Sequence, residues 1–494
     1  MIDSIEEQKS NNTTRNMLSI VAQVITSGVV LFVLYRYLYD RLGVEQIGIW
    51  SLVTSITSVS RIGDLGLSAG VVKYVAQALG RRDAKRAADV IQTVTLTLGA
   101  LMTILLLLGY PLFSLALRYF LPAQGVPLAM GILPYVLTSL WLMVIVSVFS
   151  GGLDGCLRMD LRSLLMGSSH VIYLGLTVLL TPKYGLNGVV TAQLIQSTLL
   201  MFTLWYLLRR QLKDLPFIPW NWNFSVLRDM FSYGAKIQIT SMMNMLFDPL
   251  VKALMSKFGG LEALGYYGMA NNFILQGRAL IVQTSRVIVP AVASLQEEDS
   301  NLARQWFIVS YRLTFYVSVL FYGLIGISVT TICRLWLGQY QATFIQFALL
   351  LNIGWFVNTL IGPAYFSNLG SGKLRANVIS DAIMGLCSPF LAAVLGYSFG
   401  GVGVVVGTIL GLITGSIFLL ISHIKQSDLS WTTFILPKDM VNLLGVAVLV
   451  VILSNYGRDQ QSSFLIVIGS AVLSSIPLLL LSWFNPLRVS LLQR

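Results

Sequence analysis

The chain has 494 residues, of which 55% are hydrophobic and only 11% charged, with a formal net charge of +12. Soluble domains carry roughly 25% charged residues, so this composition excludes an ordinary soluble domain and indicates a membrane protein. In a membrane protein, excess positive charge is typical of cytoplasmic loops, and we expect no nucleic-acid partner.

Apolar runs of about 20 residues, the length that a helix needs to cross the hydrocarbon core, recur along the chain. The first 15 residues are polar, and the apolar run after them is too long for a signal peptide, so we expect a retained first span. In chain order, the fourteen predicted spans cover residues 16–39, 46–72, 90–110, 129–153, 164–182, 185–208, 229–256, 261–290, 305–332, 340–369, 375–397, 400–423, 439–456 and 463–484.

The segments between successive spans contain alternately many and few lysines and arginines. If the N-terminal tail is inside, the inner segments hold nineteen and the outer segments six. Because positive charge favours the cytoplasmic side, we predict that both termini are cytoplasmic.

An internal repeat relates the two halves of the chain. "GVEQIGIWSLVTSI" at 43–56 matches "GLEALGYYGMANNF" at 260–273 with an offset of 217, and the same offset aligns Arg61 with Arg278. "GLNGVV" at 185–190 faces "GGVGVV" at 400–405 with an offset of 215. Corresponding spans run in the same direction, so the repeat is parallel, as in transporters with two bundles around a central cavity.

These patterns predict an all-α membrane protein with about 14 transmembrane helices. Two parallel six-helix repeats would surround a central cavity, followed by two extra C-terminal helices. The predicted parts are an N-lobe at 1–212, an interfacial cytoplasmic linker at 213–225, a C-lobe at 226–424 and the last two spans with the tail at 425–494.

Charged residues within the predicted spans mark the candidate site. An arginine at mid-span costs about 2.5–3.5 kcal/mol on insertion scales, so the symmetric pair Arg61 and Arg278 calls for a reason. Guanidinium groups bind phosphate oxygens in a bidentate manner, which predicts an anion site. The alternative for Arg61 is a local pair with Asp64, three residues on along the same helix.

Other charges allow two interpretations. Asp248 and Lys252 are four residues apart around Pro249, and they form either a structural ion pair or a coupling site at a broken helix. Arg286, Arg312 and Asp381 lie in the inner half of their spans and either extend toward the interface or line an inner vestibule, Asp381 also being a candidate coupling residue. Seven cations against four anions at depth favour an anionic substrate.

Four glycines of span twelve, at 403, 407, 411 and 415, recur every four residues. This spacing predicts close helix packing and not a ligand motif. Three widely spaced cysteines and two histidines predict neither a disulfide framework nor a metal site, and no GxxxxGK[ST] motif is present. We therefore expect no cofactor and no ATP hydrolysis by this chain.

The strings "LGVEQIGIWSLVTSI", "IGDLGLSAGVVKYVAQ", "FGGLEALGYYGMANNF" and "YGLNGVVTAQ" resemble those of bacterial polysaccharide-biosynthesis membrane proteins. These are lipid-linked oligosaccharide (O-antigen type) flippases of the multidrug/oligosaccharidyl-lipid/polysaccharide exporter superfamily. The resemblance covers nearly the whole chain. It does not single out the lipid II flippases, because span one lacks a cluster of arginines and holds only Arg36 near its outer end.

The resemblance implies a flippase, not an enzyme, that moves a polyprenyl-diphosphate-linked saccharide by alternating access. It implies that Arg61 and Arg278 face the central cavity, in a bacterial or archaeal cytoplasmic membrane. From their positions within the spans, Asp64, Arg312 and Arg286 are further candidate substrate contacts. Expected partners are the anionic lipid-linked saccharide and membrane lipids, with polysaccharide assembly proteins as further candidates. An ion-coupled multidrug exporter of the same superfamily is the main alternative, and a membrane glycosyl polymerase or ligase is a lesser one.

Overall fold

The computed structural model describes residues 2–285 and 300–427, and it describes side chains for 19–231, 245–282 and 305–427. Within these residues the chain forms helices joined by short turns and by one longer segment, 212–223, without a strand. Their bounds are α1 Ile2–Leu42, α2 Val44–Ser58, a 3₁₀ helix Val59–Asp64, α3 Leu67–Gly80, α4 Ala84–Phe120, α5 Val126–Gly155, α6 Met159–Tyr184, α7 Leu186–Gln211, α8 Phe224–Ser285, α9 Ser300–Leu337, α10 Ala342–Leu360, α11 Gly362–Gly370 and α12 Arg375–Gln426.

The helices are those of a multi-pass membrane protein. A helix satisfies all its backbone hydrogen bonds internally, which the hydrocarbon core requires. Among the described residues, eight stretches are long and apolar enough to cross a membrane by length and composition: Ser19–Leu42, Ala84–Phe120, Val126–Gly155, Met159–Tyr184, Leu186–Gln211, Gln305–Leu337, Ala342–Gly370 and Arg375–Gln426. The all-α membrane fold expected from the composition is confirmed.

Two long helices each contain two predicted spans. α8 holds spans seven and eight and is interrupted by non-helical backbone at Gly260, and α12 holds spans eleven and twelve with an interruption at Gly400. Gly400 has φ 60° and ψ −143°, close to the φ 57° and ψ −136° of Gly185 between α6 and α7. Since the sequence repeat aligns these two glycines, the backbone repeats where the sequence does. Predicted spans thirteen and fourteen lie outside the described residues, so the number fourteen stays a prediction.

The chain divides into two compact units, residues 1–257 and 258–494. In the first unit, α5 is the central helix and packs against α2, α3, α4, α6 and α7, while α1 packs against α6. In the second unit, α9 packs against α10 and α11, and α10 packs against α12. The predicted lobe boundaries at 1–212 and 226–424 stay predictions.

The segment between α7 and α8, residues 212–223, is attached to α4 by hydrogen bonds. The Gln92 side-chain carbonyl accepts from the backbone N–H groups of Trp220 and Asn221, each at 3.2 Å. The Asn221 side-chain amide donates to Asp89 at 2.6 Å, and the Trp222 indole donates to Thr97 at 3.1 Å. This non-helical segment is therefore fixed on the first unit.

The four glycines at 403, 407, 411 and 415, here called the glycine ladder, bring the two halves of α12, before and after Gly400, into close contact. A methyl group on Gly407 would collide with the backbone of Leu391 and Ala392, and one on Gly411 would collide with Ser388. Only glycine leaves room for this approach of two helix backbones. The packing role predicted from the four-residue spacing is confirmed.

Candidate functional site

Predicted span two is not one continuous helix. α2 ends at Ser58, the 3₁₀ helix follows, and α3 begins only at Leu67. Between them, Leu65 and Gly66 have φ values of 51° and 71°, in the left-handed region. Glycine adopts this conformation without a steric cost, but leucine does so rarely and with strain. Strained backbone of this kind concentrates at functional sites, and here the break carries both Arg61 and Asp64.

Asp64 caps helix α3. Its Oδ1 atom accepts hydrogen bonds from the backbone N–H of Ser68 at 3.2 Å and from the Ser68 hydroxyl at 2.7 Å. Ser68 is in the first turn of α3, where the helix dipole favours a negative charge. The Ser68 hydroxyl also lies 2.7 Å from Oγ of Ser147 on α5, so the carboxylate ties the broken span to the central helix.

Arg61 is exposed and makes no hydrogen bond or ion pair to any residue that the structure describes. Arg61 and Asp64 form no direct ion pair, although Asp64 is near enough to attract the guanidinium, and one of its two carboxylate oxygens accepts from Ser68 instead. A guanidinium has five N–H donors and no acceptor, so in a membrane-embedded position it favours a negatively charged ligand.

Arg278 lies on α8 in the second unit and is held by neutral groups. One terminal nitrogen donates to Asn358 Oδ1 at 2.7 Å, and the guanidinium carbon lies 5.0 Å from the ring centroid of Trp355. Its Nε–H is buried without a hydrogen-bond partner among the described residues. A partly buried cation is costly without an opposite charge, and within the described part of the chain no carboxylate pairs with Arg278.

The groups around Arg278 are themselves fixed by hydrogen bonds. The Trp355 indole donates to Asn271 Oδ1 at 2.9 Å, and the Asn358 amide donates to Ser416 Oγ at 3.1 Å. Asn358 is 5% exposed, so its rotamer is also limited by packing. The guanidinium is therefore positioned by α10, which in turn is fastened to α8 and α12.

Asp248 and Lys252 form the ion pair that their four-residue spacing predicts. The Lys252 ammonium lies 2.9 Å from Asp248 Oδ2, and the lysine is 8% exposed. The same carboxylate oxygen accepts a short hydrogen bond from the Ser55 hydroxyl on α2. The pair thus joins α8 to α2 within the first unit, as a structural ion pair would.

Three other candidate residues are less informative. Arg312 is half-buried on α9, and Asp381 is 4% exposed on α12. Arg286 lies outside the described residues. Arg61, Asp64, Asp248 and Lys252 belong to the first unit, whereas Arg278, Arg312 and Asp381 belong to the second.

Several partners were not identified from the sequence: Ser55, Ser68, Ser147, Asn271, Trp355 and Asn358. Trp355 and Asn358 are three residues apart, so they lie on one face of α10. This spacing is visible in the sequence and indicates that the two side chains act together. Ser68 and Ser147 carried no such signal, since serine is common in apolar helices.

Comparisons with known proteins identify the family. The family described as polysaccharide biosynthesis protein matches residues 42–342, which is more than half of the chain. A comparison with curated proteins finds no match.

Solved structures agree on the fold. The chain is similar to an inward-facing multidrug resistance MATE family transporter of the MOP superfamily, with 14% identity, a TM-score of 0.71 and coverage of 83% of this chain and 98% of that one. It is similar to the lipid II flippase MurJ in an inward closed conformation, with 16% identity, a TM-score of 0.69 and coverage of 94% and 97%.

A third similar structure is a MOP superfamily transporter from Pyrococcus furiosus with a binding pocket of reverse polarity, at 14% identity, a TM-score of 0.56 and coverage of 83% and 95%. Identities this low establish the fold and leave the substrate open. The family match and the fold together show that the chain belongs to the polysaccharide biosynthesis proteins and has the fold of the MOP-superfamily transporters.

Proposed function

We propose that this protein is an alternating-access flippase that translocates a polyprenyl-diphosphate-linked oligosaccharide across the cytoplasmic membrane for surface polysaccharide synthesis. The family match supports a role in polysaccharide biosynthesis, and the fold supports transport. Its substrate is an anionic lipid, and membrane lipids and polysaccharide assembly proteins are its proposed partners. It performs no covalent chemistry in this proposal.

The observation that carries this proposal is the environment of Arg278. Its guanidinium is oriented by an amide and an indole, and neither neutralises its charge. The buried Nε–H without a partner in the described residues is a donor that a phosphate oxygen would satisfy. A diphosphate carries several acceptor oxygens and negative charge, so it meets both requirements of the site.

Arg61 is the proposed second contact to the same diphosphate. Its exposure, and the use of Asp64 as a cap for α3, leave the guanidinium available to an anion. The repeat assigns Arg61 and Arg278 equivalent positions in the two predicted lobes, 18 residues after Gly43 and Gly260. Asp64 then acts through α3, and Arg312 and Arg286 are proposed contacts along the inner vestibule.

Reconstitution tests the proposal directly. The purified protein in liposomes should move a fluorescent polyprenyl-diphosphate saccharide between leaflets, measured by accessibility to a membrane-impermeant quencher. Mass spectrometry should find the lipid unchanged. A lengthened glycan or a released carrier would establish the glycosyl polymerase or ligase alternative, and equal flipping by protein-free liposomes would contradict the proposal.

An ion-coupled multidrug exporter is the second candidate, favoured by the similarity to a MATE family transporter. Export of cationic compounds would depend on free carboxylates in the membrane. Asp64 is hydrogen-bonded to Ser68 and Asp248 is paired with Lys252, so two carboxylates of the first unit are already engaged. Cells lacking drug pumps distinguish the candidates: the exporter should raise their drug resistance, whereas the flippase should leave it unchanged.

A further inference from the structure

The first unit contains an apolar groove that transport of the substrate does not explain. A cavity of about 820 Å³ lies between α4, α5, α7 and the segment 212–223. Its lining is almost entirely apolar, and Ile104 and Phe202 at its edge are 55% and 61% exposed. Pockets for small organic ligands measure roughly 300–1,000 Å³, so the groove is large enough for a lipid chain.

Arg209 lines the groove at the end of α7, and Arg210 follows it and contacts the lining residue Tyr206. The Arg209 Nε–H donates to the Leu215 carbonyl at 3.2 Å, and its guanidinium carbon lies 5.2 Å from the Phe217 ring centroid. The guanidinium carbon of Arg210 lies 4.6 Å from the ring centroid of Tyr206. These contacts orient both side chains but do not neutralise them, because no carboxylate among the described residues pairs with either arginine.

The groove therefore joins an apolar surface to a pair of cations, with aromatic side chains between the two. The Trp205 indole donates to the Phe217 carbonyl at 2.9 Å, which holds the connecting segment against α7. Tryptophan and tyrosine favour the level of the lipid headgroups, and arginines beside them attract anionic lipids. A neutral apolar ligand would use the groove but would leave the arginines without a role.

We propose that this groove binds one anionic glycerophospholipid of the membrane. Its acyl chains lie along α4, α5 and α7, and its phosphate is bound by Arg209 and Arg210. Neither Arg61 nor Arg278 lines the groove, so it holds a structural lipid and not the transported one. The bound lipid covers Phe217, Ile218 and Pro219 of the segment 212–223, which hydrogen bonds already hold on the first unit.

Native mass spectrometry of the full-length, delipidated protein tests this assignment by titration with phosphatidylglycerol and with phosphatidylcholine of the same acyl chains. We expect one phosphatidylglycerol to bind tightly and phosphatidylcholine to bind more weakly. Arg209→Gln/Arg210→Gln should lower the phosphatidylglycerol affinity by about 30-fold, as two lost anionic contacts near the membrane surface would. Arg209→Lys/Arg210→Lys should keep most of the preference.

Two further variants make the test specific. Ala100→Trp, which fills the groove, should block the bound phospholipid while leaving the arginines in place. Arg81→Gln/Lys85→Gln removes two exposed cations elsewhere on the first unit and should change nothing.

Equal binding of the two lipids by the wild-type protein would overturn the proposal. So would an equal loss of affinity in the Arg81/Lys85 variant, unimpaired binding by Ala100→Trp, or displacement of phosphatidylglycerol by an equimolar polyprenyl phosphate. Because none of these measurements involves flipping, failure here is distinguishable from failure of the proposed transport function.

Discussion

Gly43 and Gly260 are 217 residues apart and share one unusual backbone conformation. Gly43 has φ 80° and ψ 166°, and Gly260 has φ 81° and ψ 177°. Both angle pairs fall in a region that is essentially restricted to glycine. Gly43 lies between predicted spans one and two, and Gly260 lies between predicted spans seven and eight. The repeat is therefore present in the backbone as well as in the sequence.

Alanine at either glycine should therefore destabilise the protein by a similar amount. No atom lies within 4 Å of an added methyl at Gly43 or Gly260, so the cost is backbone strain alone, about 1–3 kcal/mol. Thermal unfolding in detergent measures it. Gly175→Ala is the matched control, since it also has open space but lies inside helix α6. If Gly43→Ala or Gly260→Ala behaved like this control, the strain argument would be wrong.

Replacing Arg61 or Arg278 by alanine should impair flipping and weaken binding of the lipid-linked substrate by roughly 1.5–3 kcal/mol each. Because both are proposed to hold one diphosphate, the double variant should lose less than the sum of the two. Lysine at either position keeps the charge without the bidentate geometry and should rescue only in part. Flipping assays at matched expression provide the measurement.

The local-pair alternative makes a different prediction for the same assay. If Arg61 served only to neutralise Asp64, then Asp64→Ala would be as harmful as Arg61→Ala, and removing both would restore flipping. We expect instead that Ser68→Ala resembles Asp64→Ala, because the structure joins these two residues. Full activity of the Arg61→Ala/Arg278→Ala protein would end the proposal of a diphosphate site.

Asn358→Asp should inactivate transport without removing Arg278. The new carboxylate would lie where Asn358 Oδ1 now accepts from the guanidinium at 2.7 Å, and it would compete with the substrate's phosphate. Substrate affinity should fall at least as far as in Arg278→Ala, while thermal stability should hold or rise. Gln346→Glu places a carboxylate at an exposed position of the same helix, twelve residues before Asn358, and controls for the added charge. Equal activity of the two variants would contradict a binding role for Arg278.

Asp248→Asn should destabilise the protein because it leaves the buried ammonium of Lys252 without its partner. We expect a loss of about 1–3 kcal/mol, below the value for a fully buried pair, since the aspartate side chain is 40% exposed. Asp248→Asn/Lys252→Gln should recover much of the stability, measured by thermal unfolding. If the double variant is stable and also flips lipid, the pair is structural. Stable but inactive protein would instead assign Asp248 a coupling role.

The predicted orientation can be tested by labelling in intact cells. On a background without the three native cysteines, cysteines replacing Leu42, Lys183 and Arg458 should react with an impermeant maleimide. Cysteines replacing Arg82, Lys213 and Gln426 should react only after permeabilisation, because the excess of arginine and lysine places them in the cytoplasm. External labelling at position 82 or 213 would overturn the span assignment.

The sequence by itself determined the membrane fold, most of the apolar segments that form the described helices, the repeat and the packing role of the glycine ladder. These properties are local or periodic. The length of an apolar run indicates a membrane span, and a glycine at every fourth residue indicates close contact between helices. The Asp248–Lys252 pair was readable for the same reason, since residues four apart on a helix are neighbours.

Only the tertiary structure decided which partners the charged residues have. The spacing of Arg61 and Asp64 allowed a local pair. However, a new helix begins after the break at Leu65 and Gly66, and Ser68 in its first turn donates hydrogen bonds to the Asp64 carboxylate. Arg278 has no acid nearby along its own helix, and its neighbours Trp355 and Asn358 come from α10, about 80 residues further along the chain. Contacts between distant helices depend on how the helices pack, and packing is not encoded in the period of any one of them.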